Sequence, residues 1–162
     1  MKKSRLLVFF LIMPCLLFFM DMVQAEESKY QDKKTLVKNL VDEAVKVINT
    51  EGEAGVKDIA DTKGRFNTKD TYVFVTSETG VDLVNPAFPD IEGLPPEVYV
   101  DPITKAAQAT IVNAVKDKDE AWVEYFWPKP GETKTSKKIS YLKKIIINGK
   151  VRIVGAGFYP GE

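Results

Sequence analysis

The sequence contains no histidine, and its single cysteine, Cys15, lies inside an apolar run near the N-terminus. Serine–histidine and cysteine–histidine nucleophile pairs are thereby excluded, as is a zinc site built on imidazole. A lone cysteine also leaves no intrachain disulfide to form. Charge of one sign is lacking too: 23 basic and 23 acidic residues give a formal net charge of +0. Nucleic acid is then not an expected partner, since that would favour a strongly basic face. Internal repeats and low-complexity segments are absent. The acidic residues Asp82, Asp90, Glu92 and Asp101 match no EF-hand spacing, so neither a metal nor any other cofactor is called for. No paired acid–base constellation points to an enzyme.

Long hydrophobic runs are scarce as well. The one from Leu6 to Met20 falls short of the roughly 18–20 residues that span a bilayer. Lys2, Lys3 and Arg5 precede it, and the small-residue site Val23-Gln24-Ala25 follows. That is the anatomy of a secretory signal peptide, residues 1–25, with cleavage after Ala25. The expectation is a periplasmic or secreted protein, with an uncleaved anchor as the alternative. The remaining residues, 26–162, suit one domain with an adequate core.

What is present is well patterned. Leu36, Val37, Leu40, Val41, Ala44, Val45 and Ile48 recur at helical spacing, predicting a helix from Glu26 to Thr50. Val56, Ile59 and Ala60 suggest a short second helix that stops near Gly64. The period then changes to that of strands. Thr71 to Thr76 and Val81 to Val84 form a hairpin about Glu78-Thr79-Gly80. A proline-rich connection from Asn85 leads to Asp101, which would N-cap a helix opening at Pro102. Three strands close the chain, at 120–128, 138–147 and 150–159, the last two joined by the hairpin signal Asn148-Gly149. The order predicts an α+β fold, one five-stranded antiparallel sheet with a long N-terminal helix alongside.

The stretch from Trp122 to Glu132 carries both tryptophans. Side chains alternate along a strand. Tyr125 and Trp127 should therefore share one face, with Trp122 and Phe126 on the other. An aromatic wall with polar tips suits a small-ligand pocket, and equally an ordinary sheet core.

Several local motifs resemble single Cache domains, the extracytoplasmic PAS-like sensor domains of bacteria. They are Tyr72-Val73-Phe74-Val75 with its Gly turn and Asn85-Pro86, the segment Ala121 to Pro130, Lys138-Ile139-Ser140-Tyr141-Leu142-Lys143, and Val154 to Tyr159. The resemblance covers nearly all of residues 26–162. It implies a PAS-like sheet that binds a small metabolite, short organic acids being typical, in modules of chemoreceptors and histidine kinases. Only Pro160, Gly161 and Glu162 follow Tyr159, so a free-standing secreted form is expected.

The candidate ligand-binding residues are Tyr72, Phe74, Asn85, Tyr125, Trp127, Tyr141 and Lys143. On a concave sheet face Tyr72, Tyr125, Trp127 and Tyr141 would give walls and hydroxyls, and Lys143 a cation for a carboxylate. The competing reading packs the aromatics under the long helix and turns Lys143 outward into the cluster Lys137, Lys138, Lys143, Lys144. Asn85 either bonds the ligand or caps its turn. Arg65 is a further candidate anion site or a solvated loop residue. Gly155 and Gly157 leave room for something bulky opposite, a ring or a ligand. The expected function is non-catalytic sensing of a small molecule, with a membrane receptor or sensor kinase as the expected partner. The alternative is an interaction domain with a closed pocket.

Overall fold

In the computed structural model, residues 5–68, 71–99 and 101–161 are described, with side chains from residue 22 onward. The expected signal peptide, residues 1–25, lies almost wholly outside the described side chains. Two compact units are present, Met1–Lys34 and Thr35–Glu162. Helix α1, Arg5–Glu51, forms the first unit as far as Lys34. In that part Gln31 donates to Glu27 one turn earlier at 2.8 Å. Among the described residues, no helix is long and apolar enough to cross a membrane.

The second unit holds the rest of α1, then α2 (Glu53–Ala60), β1 (Val73–Ser77), β2 (Asp82–Val84), α3 (Pro102–Ala114), β3 (Glu120–Pro128), β4 (Thr135–Ile147) and β5 (Lys150–Phe158). Two short 3-10 turns, Pro89–Ile91 and Pro96–Val98, punctuate the proline-rich connection. The strands form one antiparallel sheet in the order β2-β1-β5-β4-β3. This is the α+β, PAS-like arrangement that the sequence predicts.

The local devices follow from residue chemistry. Asn148 and Gly149 both take positive φ, 50° and 74°, as a two-residue hairpin matched to strand twist demands. Asp101 caps α3, accepting from the amides of Ile103 at 3.2 Å and Thr104 at 3.0 Å, with Pro102 at the first helical position.

Strand alternation gives the sheet two different faces, and the helices divide between them. Val37, Val41, Ala44, Val45 and Ile48 are the buried stripe of α1. That helix meets the face bearing Tyr141 and Lys143, for Lys38 lies over the Tyr141 ring and Lys143 bonds Asp42. Helix α3 covers the opposite face. Ala107, Ile111 and Val115 cluster there with Tyr72, Phe74, Tyr125, Trp127, Leu142 and Ile153. The competing reading is thereby corrected in part. Tyr72, Phe74, Tyr125 and Trp127 pack not under the long helix but under α3 and the proline-rich connection, whereas Tyr141 does face the long helix.

Candidate functional site

The register of β3 on β4 decides which residues meet. Tyr125 pairs with Lys138 and Val123 with Ser140, whereas Trp122 pairs with Tyr141 and Glu120 with Lys143. Directly opposed residues share a face. Tyr125, Trp127, Lys138 and Ser140 therefore point toward α3, and Trp122, Tyr141 and Lys143 toward α1. Phe74 on β1 and Tyr72 just before it join the first group, and Asp82 on β2 lies opposite Thr76.

These side chains enclose a small internal cavity. It is lined by Tyr72, Phe74, Asp82, Asn85, Gln108, Ile111, Tyr125, Trp127 and Lys138. Non-atom space, counting the mouth, is about 180 Å³, of which about 10 Å³ admits the centre of a water. That is room for roughly one water molecule. Phe88, on the connection, closes the wall edge-on against Trp127 (ring centroids 5.8 Å apart) and against Tyr72 (6.3 Å).

Within the apolar shell sit two residues of opposite charge, each 1% exposed. Lys138 extends from β4 so that its ammonium lies 4.0 Å from the Tyr72 ring centroid and 5.3 Å from that of Phe74. Ring faces attract a cation but do not replace its hydration. Burial accordingly pulls the lysine down to about 7 from its ordinary 10.5, against the opposing pull of Asp82. Room for the lysine comes from β5. A Cβ at Gly157 would collide with Ser140 Oγ, the Ile139 carbonyl and Lys138 Cε. At Gly155 it would collide with the Phe74 ring. Both glycines thus serve neighbouring side chains.

Asp82 is satisfied by neutral donors. Thr76 Oγ1 donates to its Oδ1 at 2.8 Å, and Asn85 Nδ2 and Gln108 Nε2 donate to its Oδ2 at 3.0 Å each. Burial raises its pKa, while these three bonds and the Lys138 charge pull the other way. Tyr125 shares a 2.9 Å hydrogen bond with Ser140. Burial raises the pKa of both the Tyr125 and Tyr72 hydroxyls, keeping them protonated.

Four polar atoms of the lining have no partner in the protein: Tyr72 Oη, Asn85 Oδ1, Gln108 Oε1 and Trp127 Nε1. A buried polar atom left unsatisfied costs about 1–3 kcal/mol. Their convergence on one cavity means that the protein alone does not complete its hydrogen bonding.

Five of the seven candidate residues are brought together here: Tyr72, Phe74, Asn85, Tyr125 and Trp127. The other two are not, which corrects the expectation that they share the face of Tyr125. Tyr141 donates to Glu120 at 2.6 Å, and Lys143 forms a 2.6 Å ion pair with Asp42. Burial raises the Asp42 pKa, but bonds from Lys143 and Lys38 outweigh it and hold the carboxyl below its ordinary value. Arg65 lies on the surface, 3.1 Å from both Glu43 and Asp58. Four lining residues are missed by the sequence reading: Lys138, Asp82, Gln108 and Ile111. The available signal was Gly157, which pairs with Ser140 and so marks the crowded face of β4. Among the described residues, no group of three or more acidic, histidine or cysteine residues could hold a metal ion.

The chain belongs to the single Cache domain 2 family, whose model matches residues 16–159. It is therefore a sensor module by family, of a class that is extracytoplasmic and non-catalytic. Among solved structures it is similar to a Cache chemosensory domain described for its carboxylic acid recognition, at 26% identity and a TM-score of 0.64, over 82% of this chain and 97% of that one. It is also similar in fold to a methyl-accepting chemotaxis protein from Vibrio parahaemolyticus RIMD 2210633, at 19% identity and a TM-score of 0.65, covering 86% and 96% of the two chains. A periplasmic sensor domain of a chemotaxis protein shares the fold at 22% identity and a TM-score of 0.58, covering 85% and 97%.

Proposed function

We propose that this protein senses a short monocarboxylate, held in the α3-side cavity with Lys138 as its counter-ion. The observation that carries the reading is a buried lysine whose ammonium lies over aromatic rings, in a cavity ringed by unsatisfied polar atoms. A carboxylate supplies what that arrangement lacks. It neutralises Lys138 and accepts from the Tyr72 hydroxyl and the Trp127 indole N–H. The likeness to a domain that recognises carboxylic acids supports the same chemistry. Phe74, Ile111 and the Tyr72 and Trp127 rings would enclose the apolar end of the acid.

Cavity size restricts the ligand to the smallest acids, with two or three carbons. Even these require the wall to give, and the irregular connection carrying Asn85 and Phe88 is the part with least regular hydrogen bonding. We place the protein outside the cytoplasm, delivered by a signal peptide over residues 1–25, where the bound form would be read by a membrane receptor or sensor kinase.

Thermal denaturation with short mono- and dicarboxylates tests the reading, because a ligand that binds only the native state raises its stability. Acetate- and propionate-sized acids should raise Tm in the unmodified chain and not in Lys138→Met. No shift with any of them would overturn it.

A further inference from the structure

We propose that Asp82 is a positioning residue that makes the cavity select 2-hydroxy carboxylates over equally sized carboxylates lacking the hydroxyl. It does so by turning the carboxamide oxygens of Asn85 and Gln108 toward the ligand. The proposal rests on the reading of the cavity as a carboxylate site.

An ionised carboxylate only accepts hydrogen bonds. Asp82 accepts from both amides through a single oxygen, Oδ2, while Thr76 occupies Oδ1. Each amide must therefore present its NH₂ to Asp82, since turning either one over would set oxygen against oxygen. The lock fixes which atoms are left over: Asn85 Oδ1 and Gln108 Oε1, both buried and without a partner in the protein. The side chains that form the lock are themselves shut away, with Asp82 and Gln108 1% exposed and Asn85 3%.

The cavity thus has two unlike sets of polar atoms. Lys138, the Tyr72 hydroxyl and the Trp127 indole N–H offer donors, whereas the two amide oxygens offer only acceptors. A ligand that satisfies both sets accepts with one group and donates with another. Acetate and propionate only accept. A 2-oxo acid places a second acceptor against the amide oxygens. A 2-amino acid donates, but brings a full positive charge into a cavity that already holds the Lys138 ammonium. The hydroxyl of a 2-hydroxy acid donates one neutral hydrogen bond beside the carboxylate, which is what the amide oxygens require. Sites built to bond a ligand hydroxyl discriminate strongly against analogues without it, because their own polar atoms are then left unpaired.

Isothermal titration of the full chain with matched pairs tests this: glycolate against acetate, and racemic lactate against propionate, with pyruvate and alanine alongside. Each hydroxy acid should bind about tenfold or more tighter than its partner. In Asp82→Asn the new amide both donates and accepts, the lock is lost, and the ratio should fall toward one. Should that variant not fold, Gln108→Met keeps Asp82 and removes one acceptor, and the ratio should fall several-fold. General damage to the fold weakens both members of a pair alike and leaves the ratio unmoved. Equal or tighter binding of acetate or propionate, a preference for pyruvate or alanine, or a ratio unchanged in the variants would overturn the selection while leaving a carboxylate site standing. Binding of none of these acids would overturn both.

Discussion

Lys138 and Asp82 face one cavity with opposite charges, yet neither bonds the other. Asp82 takes three neutral donors, and Lys138 lies over the Tyr72 ring. A buried pair in direct contact would form a closed structural ion pair, with nothing left to bind a ligand. Holding them apart leaves the lysine's charge available. The aromatic walls leave room for only about one water to solvate it, which strengthens its interaction with any charge it meets.

The first consequence is a pH dependence of stability. The folded state releases the Lys138 proton near pH 7, while the unfolded chain holds it up to the ordinary 10.5. Between those values the unfolded state binds more protons, so unfolding free energy rises with pH. The cost of the buried charge is therefore complete below pH 7 and relieved above it. Urea denaturation of the ligand-free protein from pH 6.5 to 9.5 should show stability rising by up to about 1.4 kcal/mol per pH unit. Lys138→Met should remove that rise. A flat profile, or the same slope in the variant, would contradict the assignment.

Gly157 makes room for the lysine, and substitution should reveal this. In Gly157→Ala the added methyl meets Ser140 Oγ and the Ile139 carbonyl, which belongs to the backbone and cannot swing aside. A loss of about 1–3 kcal/mol in denaturant is expected. The displaced Lys138 should also weaken carboxylate binding. A variant as stable as the parent would show that the strand pair tolerates the extra volume.

Lys143 offers the opposite test. It pairs with Asp42 at 2.6 Å on a partly exposed surface, 30% exposed on the lysine side, and Asp42 retains Lys38 at 2.7 Å when Lys143 is lost. Lys143→Ala should cost at most about 1 kcal/mol and leave carboxylate affinity unchanged in titration. Lost affinity would return Lys143 to the site.

Helix α3 carries Gln108 and Ile111 into the cavity wall, and its first turn hangs on Asp101. Asp101→Ala should lower stability by about 1 kcal/mol in denaturant. An unchanged midpoint would mean that the cap is not needed to hold the helix.

Much of this fold was legible in the sequence because its signals are local. The Asp101-Pro102 cap, the Asn148-Gly149 hairpin and the limits of β3 each follow from a few adjacent residues. Alternation separated Tyr125 and Trp127 from Phe126, which is 55% exposed, and from Trp122, which stacks on Tyr141 at 5.2 Å. Alternation within one strand cannot say which face of the next strand joins it. The loop from Lys129 to Lys134 sets that register, and nothing in its charged residues reveals it. Alternation alone therefore puts Tyr141 and Lys143 on the face of Tyr125 and hides Lys138 among neighbouring lysines. Asp82 and Gln108 stand 26 residues apart and meet only when α3 crosses the sheet. No local pattern carries such a pair.

The central claim, that Lys138 becomes charged in order to hold a carboxylate, is tested most directly by isothermal titration at pH 8 in buffers of differing ionisation enthalpy. With the ligand-free lysine near 7, about nine in ten molecules are neutral at that pH. Binding of a short carboxylate should then take up close to one proton, and Lys138→Met should abolish both the uptake and most of the affinity. Binding without proton uptake, or undiminished binding in the variant, would contradict it.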